Sequence, residues 1–399
     1  MLKMQQYKCD VLVVGAGPAG SLAARATAEK GVDVIFIEEH KVPGTPVYCA
    51  EGLSIRGIKD GGLEPVLPYV SQLIATARVV APNGKTLDLT ADNWTGYTLD
   101  RQMFDRALAE NAVKAGAKLM TQVRAIDVIK DGEKIVGVKA VKDGEEIEFR
   151  SKVVIGADGH WSIIRRRAGL RLYFPDYVTC AQYQLGDLNL DNPGQNEFWV
   201  GARYAPGGYA WVFPKSKSVA NVGVGVRKVH KKAPIEYLKD FCKNDPRLRN
   251  AKIIKTNGGI CPVSGILDKI TKDGLMLIGD AAGMLIPMTG AGIHCSIEAG
   301  KMAGRIAADA IRDNDVSEKR LSALKTEIDK YWGRKIKESG KVLEMMDKFT
   351  DDDINTLAEI ISNDDILALA NGENVALTLA GIVRRSPRKL IQLIRAYLG

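Results

Sequence analysis

The chain has 399 residues, 46% hydrophobic and 26% charged, a balance typical of a globular protein with two or three domains. Its formal net charge of +8 is a modest surplus that favours anionic surfaces, and we expect no nucleic-acid partner. No run of about 18 apolar residues is present, so we expect no transmembrane helix, and the first residues contain no apolar signal segment.

The first forty residues predict a βαβ unit. Residues 8–14 form an apolar run typical of a buried parallel strand, and residues 21–31 indicate a helix. Residues 32–37 indicate a second strand, which ends on Glu38. The turn between the first strand and the helix reads Gly-Ala-Gly-Pro-Ala-Gly. Strand, turn, helix, strand and acid together form the dinucleotide-binding fingerprint, which is more specific than the glycines alone.

Each glycine of this turn has its own expected role. Gly15 allows the tight turn, Gly17 lets the backbone approach a pyrophosphate, and Gly20 lets helix and strand pack closely. Free N–H groups at the start of the helix, around Ala19, would bind the phosphates, and Glu38 would accept a ribose hydroxyl. A glycine-rich turn without a ligand is the alternative interpretation.

Further along the chain, short strands bounded by turn residues recur up to residue 264. They are predicted at 76–99, 118–123, 125–129, 135–141, 145–149 and within 178–264. An amphipathic helix at 102–116 interrupts them. A long helix is predicted at 291–310, and the chain is helical and charged from about residue 314.

Two aspartates lie on glycine turns directly after apolar strands, in the segments 156–162 (Gly-Ala-Asp-Gly-His-Trp-Ser) and 278–283 (Ile-Gly-Asp-Ala-Ala-Gly). A third motif, Asp-Arg-Gln-Met-Phe-Asp at 100–105, begins the helix at 102–116. Taken singly, an Asp-Gly turn can simply end a strand. In this order the three motifs resemble those of the flavoprotein hydroxylases, whose fold resembles p-hydroxybenzoate hydroxylase.

This resemblance implies that the cofactor is FAD. Asp280 would bind the ribityl chain, and Arg101 would contact FAD. The helix that opens at Gly292 and Ile293 would stabilise the negative charge on reduced flavin. The other implied cofactor contacts are Cys49, Ala50, Gly52 and Ala125. The six cysteines are scattered without a Cys-x-x-Cys pair, so we expect no metal and a reducing compartment.

Two segments resemble a narrower family, the geranylgeranyl reductases. Residues 206–214 match their P-x-x-Y-x-W-x-F-P motif, and residues 48–54 are similar to the Y-C-x-E-G-L-S segment of archaeal members. The resemblance extends from residue 8 to about residue 395. Tyr209, Trp211 and Phe213 alternate along one face of a strand, where they would form an apolar wall for the substrate. Three core aromatics of a sheet are the alternative.

The family resemblance implies a reaction. Reduced FAD would hydrogenate the isoprenoid double bonds of digeranylgeranylglycerol phospholipids to the saturated phytanyl chains of archaeal ether lipids. Electrons would come from NAD(P)H or a ferredoxin-like carrier. Cys49 would lie near the flavin ring, where it tunes the flavin, relays a proton or only fills space, whereas His294 is expected to be structural. The alternatives are a monooxygenase or halogenase of the same fold, a chlorophyll-type geranylgeranyl reductase, and a prenyl-binding escort protein without FAD.

The predicted fold class is α/β, α+β overall, with a Rossmann-type FAD-binding domain, an antiparallel β-sheet substrate domain and a C-terminal helical region. The FAD-binding domain is discontinuous, and the predicted boundaries are 1–75, 100–177 and 265–320 for FAD binding, 76–99 and 178–264 for the substrate domain, and 321–399 for the helical region.

The end of the chain predicts a membrane contact. No acidic residue follows Glu373, and an apolar stretch is punctuated by basic residues: Arg384, Arg385, Arg388, Lys389 and Arg395. Such a helix is typical of a basic amphipathic segment on an anionic membrane. We therefore expect a cytoplasmic protein, peripheral at the inner membrane face. A charged helix that caps a core is the alternative.

Overall fold

The computed structural model describes residues 5–90, 95–227 and 232–385. The strands are β1 Gln5–Lys8, β2 Val11–Val14, β3 Val34–Glu38, β4 Gly52–Ser54, β5 Val70–Ile74, β6 Thr76–Val80, β7 Thr86–Leu89, β8 Gly96–Leu99, β9 Lys118–Thr121, β10 Val123–Asp131, β11 Lys134–Lys142, β12 Glu145–Arg150, β13 Val153–Gly156, β14 Tyr177–Gly186, β15 Gln195–Val200, β16 Tyr209–Pro214, β17 Ala220–Arg227, β18 Lys252–Pro262, β19 Thr271–Lys272 and β20 Leu275–Leu277.

The α-helices are α1 Pro18–Ala28, α2 Ile55–Asp60, α3 Arg101–Lys114, α4 Ile163–Arg167, α5 Pro234–Asn244, α6 Ile293–Arg312, α7 Glu318–Leu321, α8 Ala323–Ile328, α9 Arg334–Met346, α10 Asp351–Ile360, α11 Asn363–Asn371 and α12 Val375–Arg385. A short 3-10 helix spans Gly279–Ala282, and a π-helical turn, Asp329–Gly333, joins α8 to α9. Within the described ranges, no helix combines the length and the apolar character that crossing a bilayer requires.

A six-stranded sheet in the order β19-β20-β13-β2-β3-β9 carries the predicted βαβ unit. Strands β20, β13, β2, β3 and β9 run parallel, and β2 is buried along its whole length. Strands buried on both faces need continuous apolar runs, which is the pattern that predicted them. The unit is confirmed, although its first strand begins at Val11, since Lys8 ends β1 in another sheet, and α1 spans Pro18–Ala28 rather than 21–31. Proline suits the first helical position because it has no N–H to satisfy.

Helices α1 and α6 pack with their backbones in close contact. A Cβ atom on Gly300 would lie 2.3 Å from the Ala19 oxygen, and one on Gly304 would lie 2.4 Å from the Ala23 oxygen. Both positions therefore require glycine. The two contacts advance together, so the helices run parallel, and α6 begins about 9 Å before α1 at about 1.5 Å per residue. Both N-termini consequently point the same way, offset along the axis.

A seven-stranded sheet in the order β18-β14-β17-β16-β15-β6-β7 forms the second layer. Its core includes Val222 and Val224 of β17, with Leu238 and Phe241 of α5 packed against the sheet. Helix α5 was not predicted, because residues 178–264 are rich in strand signals and contain few helix signals. The spacing of Leu238 and Phe241 is the local signal of this helix.

Two smaller sheets and the C-terminal helices complete the fold. One sheet has the order β1-β12-β11-β10, and the other has the order β4-β8-β5. Strand β8 therefore pairs with β4, which follows β3 in the chain, and not with a strand of the seven-stranded sheet. The helices from α9 to α12 share a hydrophobic cluster that includes Val342, Leu379 and Ile382. The predicted domain boundaries stay predictions, whereas the charged helical C-terminal region is confirmed as far as Arg385.

Candidate cofactor and substrate site

The glycine turn after β2 has the geometry that a phosphate cradle requires. Gly15 has φ +100°, and a Cβ on it would lie 2.4 Å from the Ala157 oxygen. A Cβ on Gly20 would lie 1.8 Å from the Gly15 oxygen, whereas one on Gly17 would meet nothing within 4 Å. The open side is therefore at Gly17. Helix α1 has no side-chain cap and no acid in its first turn, so its N–H groups suit an anion.

Glu38 lies across this turn at the end of β3. Its Oε2 accepts a hydrogen bond from the Ala16 N–H at 2.9 Å. Its Oε1 accepts from the His40 N–H at 3.0 Å and contacts His40 Nδ1 at 2.7 Å. The half-buried carboxylate is thus fixed beside the glycine turn, where the sequence predicted a ribose contact.

Asp280 precedes α6 in the sequence by 13 residues, but in the folded chain it lies beside the first residues of this helix. Its Oδ1 is 3.4 Å from the position of a Cβ on Gly292, the residue that precedes α6. Burial raises the pKa of Asp280 to about 6, although the Arg101 guanidinium acts in the opposite direction. No donor among the described residues hydrogen-bonds this carboxylate. A half-buried carboxylate without a protein partner fits a ligand that brings a hydroxyl group.

The glycine turn, Glu38 and Asp280 together suit one elongated ligand. Two uncapped helix N-termini, about 9 Å apart along parallel axes, provide one site for phosphate and one for a second anionic group. Glu38 and Asp280 supply acceptors for hydroxyl groups near each of them. The residues present therefore fit FAD, which carries a pyrophosphate, a ribose, a ribityl chain and a ring that becomes anionic when reduced.

The loop that carries Cys49 is held in place by Glu51, which was not among the predicted site residues. Glu51 is 4% exposed and has φ +75°. Its Oε1 accepts from the Arg101 N–H at 2.9 Å, and its Oε2 accepts from Lys215 Nζ and Asn221 Nδ2, both at 2.6 Å. An acid within the Y-C-x-E-G-L-S segment was the only local signal, because its partners come from distant elements.

Arg101 lies between this loop and α3. Its guanidinium donates two hydrogen bonds to Asp105, Nε to Oδ1 at 2.8 Å and Nη2 to Oδ2 at 2.7 Å. Burial raises the pKa of the Cys49 thiol, and the nearby Arg101 charge only partly offsets this effect. Cys49 is therefore a protonated thiol at neutral pH. The Arg101 charge, matched by Asp105, acts on both the Cys49 thiol and the Asp280 carboxylate by lowering the pKa of each.

The predicted aromatic wall is connected directly to the Cys49 loop. Trp211 Nε1 donates to Gln182 Oε1 at 2.9 Å, and Gln182 Nε2 donates to the Cys49 oxygen at 3.0 Å. Tyr209 donates through its hydroxyl to the Thr289 oxygen at 2.5 Å. The two aromatic residues are therefore tied to both segments that the sequence placed near the flavin.

Tyr209 and Trp211 line an apolar cavity of about 40 Å³. Its other walls come from β14, β17, β18, the loop before α6, and α9, including Val178, Cys180, Cys261, Met288 and Leu343. Phe213, predicted on the same wall, lies elsewhere on its strand: its Cε2 is 3.2 Å from a Cβ on Gly52, and its ring packs edge-on against Phe198. Phe213 thus contacts the Cys49 loop, and its predicted substrate contact stays untested.

Comparison with known proteins assigns this chain to a family. The model of the FAD binding domain family matches residues 8–327. The digeranylgeranylglycerophospholipid reductase of Methanocella arvoryzae is 40% identical over 394 residues, which cover 96% of this chain and 98% of the relative. The chain belongs to the digeranylgeranylglycerophospholipid reductase family. The reductase of Methanothrix thermoacetophila is 37% identical over 393 residues, 97% of this chain and 98% of the relative.

A solved structure agrees with this assignment. The geranylgeranyl bacteriochlorophyll reductase-like protein of Thermoplasma acidophilum superposes with a TM-score of 0.89 at 33% identity, covering 98% of this chain and 100% of that chain. The predicted flavoprotein fold and FAD as cofactor of this reductase are confirmed. Membership of a reductase family favours that activity over a monooxygenase, a halogenase, a chlorophyll-type enzyme or an escort protein. The individual cofactor contacts stay predictions.

The remaining predicted residues have these positions. The Ala50 oxygen accepts from Asn221 Nδ2 at 3.2 Å, and Ala125 lies in β10, paired with Ala140. His294 Nε2 contacts Asp60 Oδ2 at 2.8 Å, and its ring packs edge-on against Trp332. These contacts agree with the structural role expected of His294.

The basic C-terminal stretch is only partly described. Helix α12 buries Leu379 and Ile382 in the C-terminal cluster, and Arg385 donates to Asp365 Oδ2 at 2.7 Å. This part matches the alternative interpretation of a charged helix that caps a core. Arg384 is exposed, whereas Arg388, Lys389 and Arg395 lie outside the described residues.

Proposed function

We propose that this reductase hydrogenates the isoprenoid double bonds of digeranylgeranylglycerol phospholipids and so produces the saturated phytanyl chains of archaeal membrane lipids. The names of its relatives support this substrate. The observation that carries the proposal is the hydrogen-bonded chain from Trp211 through Gln182 to Cys49. It brings an apolar cavity into direct contact with the loop proposed to face the flavin.

The cofactor would be held from end to end by residues already described. The N–H groups around Gly17 and Ala19 would bind the pyrophosphate, and Glu38 the adenosine ribose. Asp280 would accept a ribityl hydroxyl, and the N-terminus of α6 at Gly292 would stabilise negative charge on the ring. When bound and reduced, FAD supplies a hydride to one carbon of the double bond.

The substrate chain would be positioned by shape, because an isolated double bond offers no polar group to bind. Tyr209 and Trp211 provide flat apolar surfaces along one side of the cavity. The cavity of about 40 Å³ must widen to take an isoprenoid chain, since ligand pockets commonly measure roughly 300–1,000 Å³. The walls that can separate are the loop carrying Met288 and helix α9 carrying Leu343, which belong to different elements from the sheet.

The second carbon of the double bond needs a proton, and Cys49 is the proposed donor. Burial keeps its Sγ protonated at neutral pH by raising the pKa of the thiol. Burial also raises the pKa of Tyr209 far above its usual value, but that hydroxyl proton is already donated to the Thr289 oxygen. Cys49 Sγ, which accepts from the Glu51 N–H at 3.2 Å, would therefore keep its proton until the substrate takes it.

The reductase would act at the cytoplasmic face of an anionic membrane, with electrons from NAD(P)H or a ferredoxin-like carrier. Withdrawal of a lipid chain from a bilayer costs roughly 0.8 kcal/mol per CH₂ group. An apolar cavity offsets this cost only if its mouth lies close to the membrane surface. The net charge of +8 favours contact with anionic lipid.

The test is a single-turnover reaction. The purified flavoprotein is reduced chemically without oxygen and mixed with detergent-dispersed digeranylgeranylglycerol phospholipid, and the lipid is analysed by mass spectrometry. We expect a gain of two hydrogens per double bond and reoxidation of the flavin. The unreduced protein is the control. An unchanged lipid mass, or oxygen inserted into the lipid under air, would contradict the proposal, and a colourless protein would favour the escort alternative.

A further inference from the structure

Two loops beside the Asp280 turn expose three large apolar side chains. Trp161 is 57% exposed, Leu172 is 58% exposed and Tyr173 is 66% exposed. Single exposed apolar residues are common on protein surfaces, but a group of them marks an interaction site. The role of this group is not explained by cofactor binding or by the cavity.

One buried arginine holds these loops together. Arg165 is 2% exposed; its Nε donates to the Arg171 oxygen and its Nη2 to the His160 oxygen, both at 3.0 Å. Since both nitrogens belong to one guanidinium, the residues next to Trp161 and Leu172 must lie side by side. Arg165 Nη1 also donates to the Ala281 oxygen at 3.0 Å, and its guanidinium lies over the Phe174 ring at 4.5 Å. The three exposed side chains are thus presented by a rigid unit, attached to the turn that carries Asp280.

The same unit is strongly basic. Residues 159–175 contain four arginines and no aspartate or glutamate. Arg167 and Arg171 are exposed, although Arg167 Nε lies 3.9 Å from Asp127 Oδ1, and Arg166 donates to the Trp161 oxygen at 3.0 Å. Aromatic rings, a leucine and arginines are therefore interleaved along this exposed segment. An exposed surface of this composition is complementary to a partner that is apolar beneath an anionic layer.

We propose that this surface, the docking patch of Trp161, Arg166, Arg167, Arg171, Leu172 and Tyr173, binds the reductase to an anionic phospholipid bilayer. The inference rests on the proposed function, which requires a lipid substrate. Trp and Tyr place their rings at the headgroup level, Leu enters the acyl region, and Arg pairs with phosphate. A bilayer is favoured over an aqueous protein partner, because an exposed leucine beside arginines is complementary to an acyl layer that lies beneath anionic headgroups.

The patch lies close to the substrate cavity along the chain. Val178, which lines the cavity, follows Tyr173 by five positions in the sequence. A fully extended chain of this length spans at most about 18 Å. Docking through this patch would therefore bring the cavity within that distance of the lipid headgroups. A substrate chain would have only a short path from the bilayer to Tyr209 and Trp211.

The test is co-sedimentation of the holoenzyme with vesicles of phosphatidylcholine, with and without phosphatidylglycerol. The apolar variant is Trp161→Ser/Leu172→Ser/Tyr173→Ser, and the charge variant is Arg167→Gln/Arg171→Gln. A matched control is Ile253→Ser/Ile254→Ser, two exposed residues flanked by lysines on strand β18. We expect the charge variant to lose about thirtyfold in affinity for anionic vesicles, roughly fivefold per arginine, and the apolar variant to lose at least as much. The control should bind like the wild type.

The substituted side chains of the apolar variant are exposed, so FAD absorbance and melting temperature should stay near wild-type values. Wild-type binding by both patch variants, or equal loss in the control, would overturn the proposal. Unchanged vesicle binding with slower reduction by a soluble acidic electron carrier would assign the patch to a protein and overturn it as well. Turnover of detergent-dispersed phospholipid is measured separately, so that failure of the reductase assignment is visible without reference to vesicle binding.

Discussion

The side-chain amide of Gln182 donates to the main-chain oxygen of Cys49 at 3.0 Å. The same amide accepts from Trp211 Nε1 at 2.9 Å, so one buried group fixes the cavity wall relative to the Cys49 loop. Strand pairing of β14 with β17 and of β17 with β16 sets this geometry. The amide therefore couples the substrate side to the flavin side.

Gln182→Ala should uncouple the two sides. It leaves the Trp211 N–H buried without a partner, which costs about 1–3 kcal/mol in the free energy of unfolding. Lipid turnover should fall more than FAD affinity. The double variant Gln182→Ala/Trp211→Phe should be about as stable as Gln182→Ala. Removal of the unpaired Trp211 N–H offsets the stability lost with the smaller ring. Chemical denaturation measures both, and fully additive losses would show that the hydrogen bond carries no coupling.

Trp211→Phe should slow lipid reduction without loss of flavin. The smaller ring leaves a gap in the cavity wall, whereas the predicted FAD contacts are on other elements. Trp199→Phe is the matched control, because Trp199 packs with Tyr204 and Phe241 away from the cavity. Turnover per bound flavin is the measurement. An equal effect of both substitutions, or loss of the flavin spectrum in Trp211→Phe, would remove Trp211 from the substrate site.

Glu38→Ala should weaken FAD binding. A charge-assisted hydrogen bond to the ribose is worth roughly 1.5–3 kcal/mol, or about 10–100-fold in the dissociation constant. Part of the loss would come from the glycine turn, because the Ala16 N–H would lose the hydrogen bond that it donates to Glu38 Oε2 at 2.9 Å. Glu39→Ala, at the exposed neighbouring position, is the control. Fluorescence titration of the apoproteins with FAD compares Glu38→Ala with Glu39→Ala. Equal FAD affinities of the two variants would exclude Glu38 as a cofactor contact.

Asp280 should make stability and FAD binding respond to pH in opposite directions. Burial raises its pKa from 3.8 to about 6, so the folded apoprotein holds a proton that the unfolded chain releases. The free energy of unfolding therefore falls as pH rises through this window, by at most about 3 kcal/mol. FAD affinity should instead rise as the carboxylate ionises and accepts a hydroxyl.

Asp280→Asn tests both halves of that prediction. The variant should be more stable than the wild-type apoprotein above about pH 6 and should lose the fall in stability. It should also bind FAD more weakly at neutral pH. Melting curves of the apoprotein and FAD titrations at several pH values give the two profiles. A wild-type pH dependence of stability in the variant would assign the titration to another group.

Cys49→Ala should slow reoxidation of reduced flavin by the lipid while FAD affinity stays the same. The substitution removes the proton held at Sγ but leaves the backbone oxygen that binds Gln182. Cys242→Ala changes another half-buried thiol, which packs against the core between α5 and the large sheet, and is the control. Rapid-mixing absorbance without oxygen follows the flavin. Equal rates for wild type and Cys49→Ala would leave Cys49 as a packing residue.

Local sequence pattern was sufficient for the βαβ unit. The strand, glycine turn and Glu38 lie within about one supersecondary unit, so adjacent residues determine them. The parallel strands β13 and β20 were predicted for the same reason, since both are short apolar runs that end in a glycine turn.

The contacts that join the cofactor and substrate sides could not be predicted in this way. Gln182, Glu51 and Lys215 acquire their partners only through strand register and loop packing between distant segments. Their own residue types and neighbours contain no signal of these partners. Register is set by the whole sheet, and a shift by one residue would turn the Gln182 side chain to the opposite face.

The π-helical turn Asp329–Gly333 between α8 and α9 has a consequence for the cavity. Such a turn is equivalent to one extra residue inserted into a continuous helix. Deletion of one residue there would rotate all of α9 by about 100° relative to α8. Leu343 would leave the cavity wall, and Ser339 could no longer accept from the Met288 N–H at its present 3.0 Å. The rotation of α9 about its own axis, and therefore the shape of the cavity wall proposed to contact the lipid chain, thus depends on the number of residues in a single turn.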